Sequence, residues 1–230
     1  MPAKPGPARP DSGGTATAER ASPSRQRLAP EERLPLLLEA AVAEFAEHSY
    51  AGASMAGVAA RAGVGKGLLC HYFPGGKTEL FKTAIRSCIQ PIFEEAESLA
   101  AGFSGPRREM LRALIAMGYG RMMDRKELAL FCLIFAEAGR SPELADFYAE
   151  EVLARATSLL DKVLRTGVES GEFRADTAGH ACMAQVIIAP TIMGSIWRMM
   201  LGESKAPALA AMCEAHARLV LQGLAPTVTD

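Results

Sequence analysis

The residues best suited to chemistry crowd into one window, Ser54 to Phe73, which reads S-M-A-G-V-A-A-R-A-G-V-G-K-G-L-L-C-H-Y-F. On a helix beginning at Lys66, successive side chains turn by about 100°. With Leu69 and Phe73 facing inward, Gly67 and His71 point almost directly away, flanked by Leu68 and Cys70, and Lys66 sits in the first turn. That outer face suits a polyanion. Lys66 can reach a phosphate or a guanine edge, His71 and Tyr72 can donate hydrogen bonds to phosphate, and Leu68 can meet a thymine methyl. Near Gly65 and Gly67 the backbone N–H groups can approach phosphate with no side chain in the way. Lys77, just after Gly75-Gly76, adds a cation beside the next helix. The ordinary alternatives are a solvated lysine and a tyrosine partly in the core.

Those side chains need two short helices crossing steeply through a tight turn, the helix-turn-helix arrangement that lays its second helix in the major groove of double-stranded DNA. Close approach needs a small residue, supplied by Ala59, and the turn needs a residue at ease with positive φ, supplied by Gly63. Val58, Val64, Leu69 and Phe73 provide apolar packing on either side, and Ser54 is a good N-cap for the first helix. All of these demands fall in register within 20 residues.

Other chemistries find little support. A P-loop needs glycine at position 60 and serine or threonine at 67, where the chain has Ala60 and Gly67. No G-x-S-x-G or H-E-x-x-H occurs, so no catalytic residues are assigned. Cys213 and His216 share a helical face but have no partner cluster, so a satisfied interior pair is expected rather than a metal site. No metal and no cofactor are expected. The five cysteines are odd in number and form no Cys-x-x-Cys, as in a reducing compartment.

The surrounding chain reads as helix after helix. Expected spans are an apolar face through Leu37, Leu38, Ala41 and Phe45, then 54–62, 66–73, 78–100, 107–122, 125–138, 142–170, 176–200 and 206–223. The fold class is therefore all-α with about nine helices. Residues 1–30, with six of the fourteen prolines, form an expected disordered basic tail. Residues 31–76 form the expected DNA-binding domain and 77–230 a helical effector-binding and dimerisation domain. Residues 1–90 carry net charge +3 and 91–230 net −4, which places any polyanion contact at the front. Residues 177–197 lack a formal charge and are long enough to span a bilayer, but Pro190, Gln185 and His180 favour a buried interface helix. With no apolar leader, a soluble cytoplasmic protein without a membrane anchor is expected.

Leu37-Leu38-Glu39-Ala40-Ala41, Phe45, Tyr50, Ser54-Met55, Val58-Ala59, Ala62-Gly63-Val64, Lys66-Gly67, Leu69, His71-Tyr72-Phe73, Lys77 and Glu79-Leu80-Phe81 together resemble the tetracycline-repressor (TetR) family over about residues 33–85. The resemblance implies a homodimeric transcriptional regulator, most often a repressor released by a small ligand. It also implies that Ser54, Lys66, Gly67, His71, Tyr72 and Lys77 contact DNA. The chain departs from the family at Gly65, commonly Ser or Thr, at Cys70, commonly a phosphate-binding Tyr, at Leu68, commonly Thr or Asn, and at Ser49, where a turn Gly is frequent.

Nine of the eleven methionines lie between Met110 and Met212 among several aromatics. Flexible, polarizable side chains of this kind suit a pocket for an apolar effector. Its expected lining is Met117, Phe131, Phe135, Tyr148, Met193 and Trp197. The last two helices, rich in Ala and Leu and poor in charge, are the expected homodimer interface. The rival reading is a helical small-molecule-binding enzyme in which the N-terminal unit is scaffold only.

Overall fold

The computed structural model describes residues 30–121, 123 and 125–226, so the tail expected over 1–30 lies outside them apart from Pro30. Among the described residues the regular structure is entirely helical: α1 (Pro30–Gly52), α2 (Met55–Arg61), α3 (Lys66–Tyr72), α4 (Gly76–Gly102), α5 (Arg107–Arg121), α6 (Arg125–Ala138), α7 (Pro142–Phe147), α8 (Ala154–Glu169), α9 (Met183–Leu201) and α10 (Leu209–Leu224). The all-α architecture is as expected.

Three features are informative. Ser49 takes φ 57°, so α1 is two helical pieces joined at a residue whose backbone suits glycine. The expected 142–170 helix is interrupted by a π-helical segment, Tyr148–Leu153, between α7 and α8. Such segments often mark functional sites. The expected 176–200 helix begins only at Met183, because Thr177–Gly179 is a 3-10 turn and Cys182 adopts a left-handed conformation, φ 66°.

Two hydrophobic cores organise the chain. The first gathers Leu37, Leu38, Ala41 and Phe45 of α1, Val58 and Ala59 of α2, Leu69 of α3, and Leu80, Phe81, Ala84 and Ile85 of α4, and extends to Leu133 and Ile134 of α6 and Leu144 of α7. The second joins Ala96 at the far end of α4 to α5, α8, α9 and α10. The cores therefore do not part at residue 76. They part within α4, a rod about 40 Å long by its 27 residues. Pro91, which removes one backbone hydrogen bond, sits between Ile89 and Phe93 of the first core and just before Ala96 of the second.

Candidate nucleic-acid interface and ligand cavity

The Ser54 side chain accepts a hydrogen bond from Gly57 N–H at 2.9 Å and caps α2. At the other end, Val64 N–H donates to Ala59 C=O at 2.9 Å and Gly63 N–H to Ala60 C=O at 3.1 Å, with Gly63 at φ 67°. This is a Schellman turn, and its left-handed position is the one the sequence fills with glycine. It delivers the chain into α3 with Leu69 and Phe73 buried. Lys66, Gly67, Cys70 and His71 are exposed, as is Gly65, while Leu68 and Tyr72 are half-buried. Tyr72 packs against the first core.

Helix α3 is built against its own stability. Gly65 at its N-cap offers no side-chain acceptor. Lys66 sets a positive charge against the positive end of the helix dipole. Gly67 lowers helix propensity, and a Cβ there would meet nothing within 4 Å, as at Gly65. Local rules broken without a packing reason are expected at functional surfaces.

The elements beneath hold this surface through contacts that sequence spacing does not reveal. Arg61 of α2 donates to the buried Glu44 of α1 at 3.4 Å and to Glu47 at 2.5 Å. Those Arg61 hydrogen bonds, with its charge and that of His48, hold the Glu47 carboxyl below its ordinary value. A Cβ on Gly57 would lie 1.9 Å from Glu44 Oε1, so glycine there makes room for the carboxylate. Lys77 is not a free cation on the outer face. Its ammonium donates to Tyr50 C=O at 2.8 Å and Ala53 C=O at 3.3 Å and lies 4.6 Å over the Tyr50 ring, closing the C-terminal end of α1. Tyr50 in turn bonds Thr78 Oγ1 at 2.9 Å and packs on Phe45 and Phe81, and Glu79 accepts from Gly75 N–H at 2.7 Å.

A cavity of about 170 Å³ opens between α4, α5, the π-helical segment, α8 and α9. Met117 and Tyr148 line it, as do Ile89, Ile92, Leu159 and Ile188. Arg121, at the end of α5, is the charged side chain among the described lining residues and pairs with Glu95 of α4. Of the other expected lining residues, Phe135 lies behind the wall with its ring 5.3 Å from that of Tyr148, and the Phe131 side chain falls outside the described part of the chain. Met193 and Trp197 must be corrected. The helical phase that turns Ile187, Ile188 and Thr191 into the cavity leaves both on the outer face of α9, exposed.

The Cys213–His216 pair also needs correction: His216 is buried and Cys213 half-buried, and the histidine is not satisfied. Among the described residues neither ring nitrogen of His216 has a hydrogen-bond partner, and its ring stands edge-on to Tyr119 at 5.8 Å. Burial pushes the His216 pKa down and the Cys213 and Tyr119 pKa values up. Among the described residues no group of three or more His, Cys, Asp and Glu could hold a metal ion. Helix α9 is long and apolar enough, by length and composition, to cross a membrane. Its inner face carries Ala184, Ile187, Gly194 and Ser195, and Gly194 lets Leu209 and Met212 of α10 approach. Its outer face leaves Val186 63% and Met200 69% exposed, and Leu219 of α10 is 73% exposed.

A family model described as bacterial regulatory proteins, tetR family, matches residues 37–84. A second, described as tetracyclin repressor-like, C-terminal domain, matches residues 104–212. The HTH-type transcriptional regulator BetI of Agrobacterium fabrum is 30% identical over 112 residues, 48% of this chain and 53% of that protein. The chain thus matches about half the length of that curated relative. FadR of Bacillus subtilis, solved with stearoyl-CoA, shares the fold at TM-score 0.69 and 21% identity, over 83% of this chain and 99% of that one. A Saccharomonospora viridis protein solved with choline does so at TM-score 0.70 and 18% identity, over 86% and 99%.

Proposed function

Because the chain belongs to the TetR family of bacterial regulatory proteins, we propose that it is a sequence-specific, DNA-binding transcriptional repressor, a homodimer that leaves its operator when a small molecule enters the cavity. The observation that carries this reading is the match over 37–84 falling on a helix-turn-helix whose second helix exposes Lys66, Gly67 and His71. Lys66 serves as the phosphate or guanine contact, with Ser54, Gly65, Leu68, His71 and Tyr72 around it. Lys77 acts by positioning, because its ammonium holds the end of α1. The curated relative is a regulator, and no catalytic role is proposed for the helical body. Such a protein works where the DNA is, in the cytoplasm.

The outer faces of α9 and α10 support pairing of two copies, since their exposed apolar side chains exceed what a solvated helix carries. A dimer must set its two recognition helices about 34–36 Å apart, or a multiple of that. The cavity touches α4 at Ile89, Ile92 and Phe93, beside Pro91, and α4 also carries Leu80 and Phe81 beneath the helix-turn-helix. A ligand that prefers a differently tilted α4 weakens DNA binding by its differential affinity for that conformer.

Fluorescence anisotropy on DNA from upstream of the chain's own gene, against a scrambled duplex and at several salt concentrations, tests the reading. Selective binding with a steep salt slope is expected, and Lys66→Ala should lower the slope by about two for the dimer, one for each recognition helix. Equal, weak binding of both duplexes, unchanged by Lys66→Ala, would overturn it.

A further inference from the structure

We infer that Leu68 reads the C5 methyl group of a thymine in each half-site of the operator, and that this apolar contact, not a hydrogen-bond code, is how α3 tells an A·T pair from the others. The inference rests on the regulator reading of α3 and names what that helix recognises. From Lys66 to Tyr72, α3 reads K-G-L-L-C-H-Y. In the major groove adenine is read bidentately by Asn or Gln, guanine by Arg or Lys, and cytosine by Asp or Glu. Of those residue types α3 holds only Lys66. Thymine alone carries a methyl group in that groove, and an apolar side chain is what meets it.

The rest of the helix leaves one side chain for that task. Leu69 is buried, and Tyr72 packs against the first core. His71 lies in the last turn, whereas the N-terminal part of a recognition helix meets base edges. Cys70 is exposed but reaches only one atom past its Cβ. Leu68 stands in the first turn, half-buried, and among the described residues it packs against neither hydrophobic core. Its side chain therefore has apolar surface left to bury against a partner. Gly65 and Gly67 beside it have no Cβ, and one added at either would meet nothing within 4 Å. The space around Leu68 is clear, and the backbone of α3 can come close enough to the groove for a leucine to reach C5. Burying one methyl group is worth about fourfold in affinity, and a dimer makes the contact twice.

The test begins with duplexes selected by the full chain from a randomised pool. Each thymine of the recovered site, together with its symmetry mate, is replaced by deoxyuridine, which lacks only the methyl group. Fluorescence anisotropy should find one symmetric thymine pair whose exchange raises Kd about fifteenfold, about fourfold for each half-site. At that pair 5-methylcytosine·guanine should bind about fifteenfold more tightly than cytosine·guanine. Leu68→Ala should bind the thymine and deoxyuridine duplexes within about twofold of each other, with circular dichroism confirming an intact helical fold. Leu68→Met, which keeps an apolar reach, should retain most of the discrimination. Lys66→Ala should weaken binding to every duplex and leave the ratio between thymine and deoxyuridine intact. Indifference to deoxyuridine at every position would overturn the inference, as would a thymine preference that survives Leu68→Ala undiminished. Recovery of no preferred sequence would sink the regulator reading and this inference with it, whereas selective binding that ignores the methyl group would sink the inference alone.

Discussion

Gly67→Ala should make the protein more stable and worse at binding DNA. The added Cβ would meet no heavy atom within 4 Å, and Gly67 does not have positive φ. The methyl group therefore costs nothing in packing and restricts the unfolded chain. Exchanging Gly for Ala in a helix contributes about 0.5–1 kcal/mol. For a chain of this size that raises the melting temperature by about 1–4 °C. The same methyl projects from the face opposite the buried Leu69 and Phe73, where α3 would lie against the duplex. If it holds the backbone away from a phosphate, one charge-assisted hydrogen bond is lost, worth about 1.5–3 kcal/mol. That is roughly a ten- to 150-fold rise in Kd for each half-site of the dimer. Thermal denaturation and anisotropy on one preparation read both effects. A raised melting temperature with unchanged DNA affinity would remove Gly67 from the interface. A lowered melting temperature would mean that the site is more crowded than its open surroundings suggest.

Three further outcomes follow from named contacts. Ser49→Gly should raise stability by about 1 kcal/mol in denaturant titration, because φ 57° costs serine what glycine accepts freely. An unchanged midpoint would show that Ser49 is not strained. Lys77→Ala should lower stability by about 1–2 kcal/mol by uncapping carbonyls at the end of α1, yet leave the salt slope of DNA binding unchanged. A slope lower by about two for the dimer, with an unchanged melting temperature, would return Lys77 to the phosphate. Burial holds the His216 imidazole below its ordinary value near 6.5. As pH falls through that value the unfolded chain takes up the proton first, so folded stability declines. The melting temperature should drop between about pH 7.5 and 5.5, and His216→Phe should reduce the drop; an identical drop in that variant would assign it to other groups.

The parts legible in the sequence are those decided within one or two turns of chain. Positive φ at Gly63, the cap at Ser54 and the inward set Leu69 and Phe73 all obey local rules, and the structure carries each of them. Contacts between distant segments were not legible. Glu44 and Arg61 stand 17 residues apart on different helices, and only their crossing makes the carboxylate a reason for Gly57. Lys77 looked like a surface cation because nothing local shows that the end of α1 lies over it. The cavity is walled chiefly by Ile and Leu, which in sequence cannot be told from core. Met193 and Trp197 have the chemistry of pocket residues, yet on an exposed helical face the same adaptable apolar surface suits a partner helix.

A coupling between cavity and DNA surface asks little of α4 in movement and more of the ligand in energy. Pro91 lies about 20 Å along the rod from Gly76 at 1.5 Å per residue. A tilt of about 5° there moves the start of α4 by roughly 2 Å, on the scale of helix shifts that switch other assemblies. Phe81 and Leu80 are fully buried against α1, so the helix-turn-helix moves with α4 instead of sliding over it. A hundredfold loss of DNA affinity then requires the ligand to prefer the tilted conformer by about 2.7 kcal/mol. At about 25 cal/mol per Å², that is the burial of roughly 100 Å² of apolar surface. A hydrocarbon body of about six carbons, which about 170 Å³ accommodates, offers about 5 kcal/mol at about 0.8 kcal/mol per buried CH2, so roughly half of its burial must be available in one conformer and absent in the other. On this argument the ligand closes the cavity around itself, and the walls expected to differ most are those with the least regular backbone: the π-helical segment at Tyr148–Leu153 and α4 at Pro91.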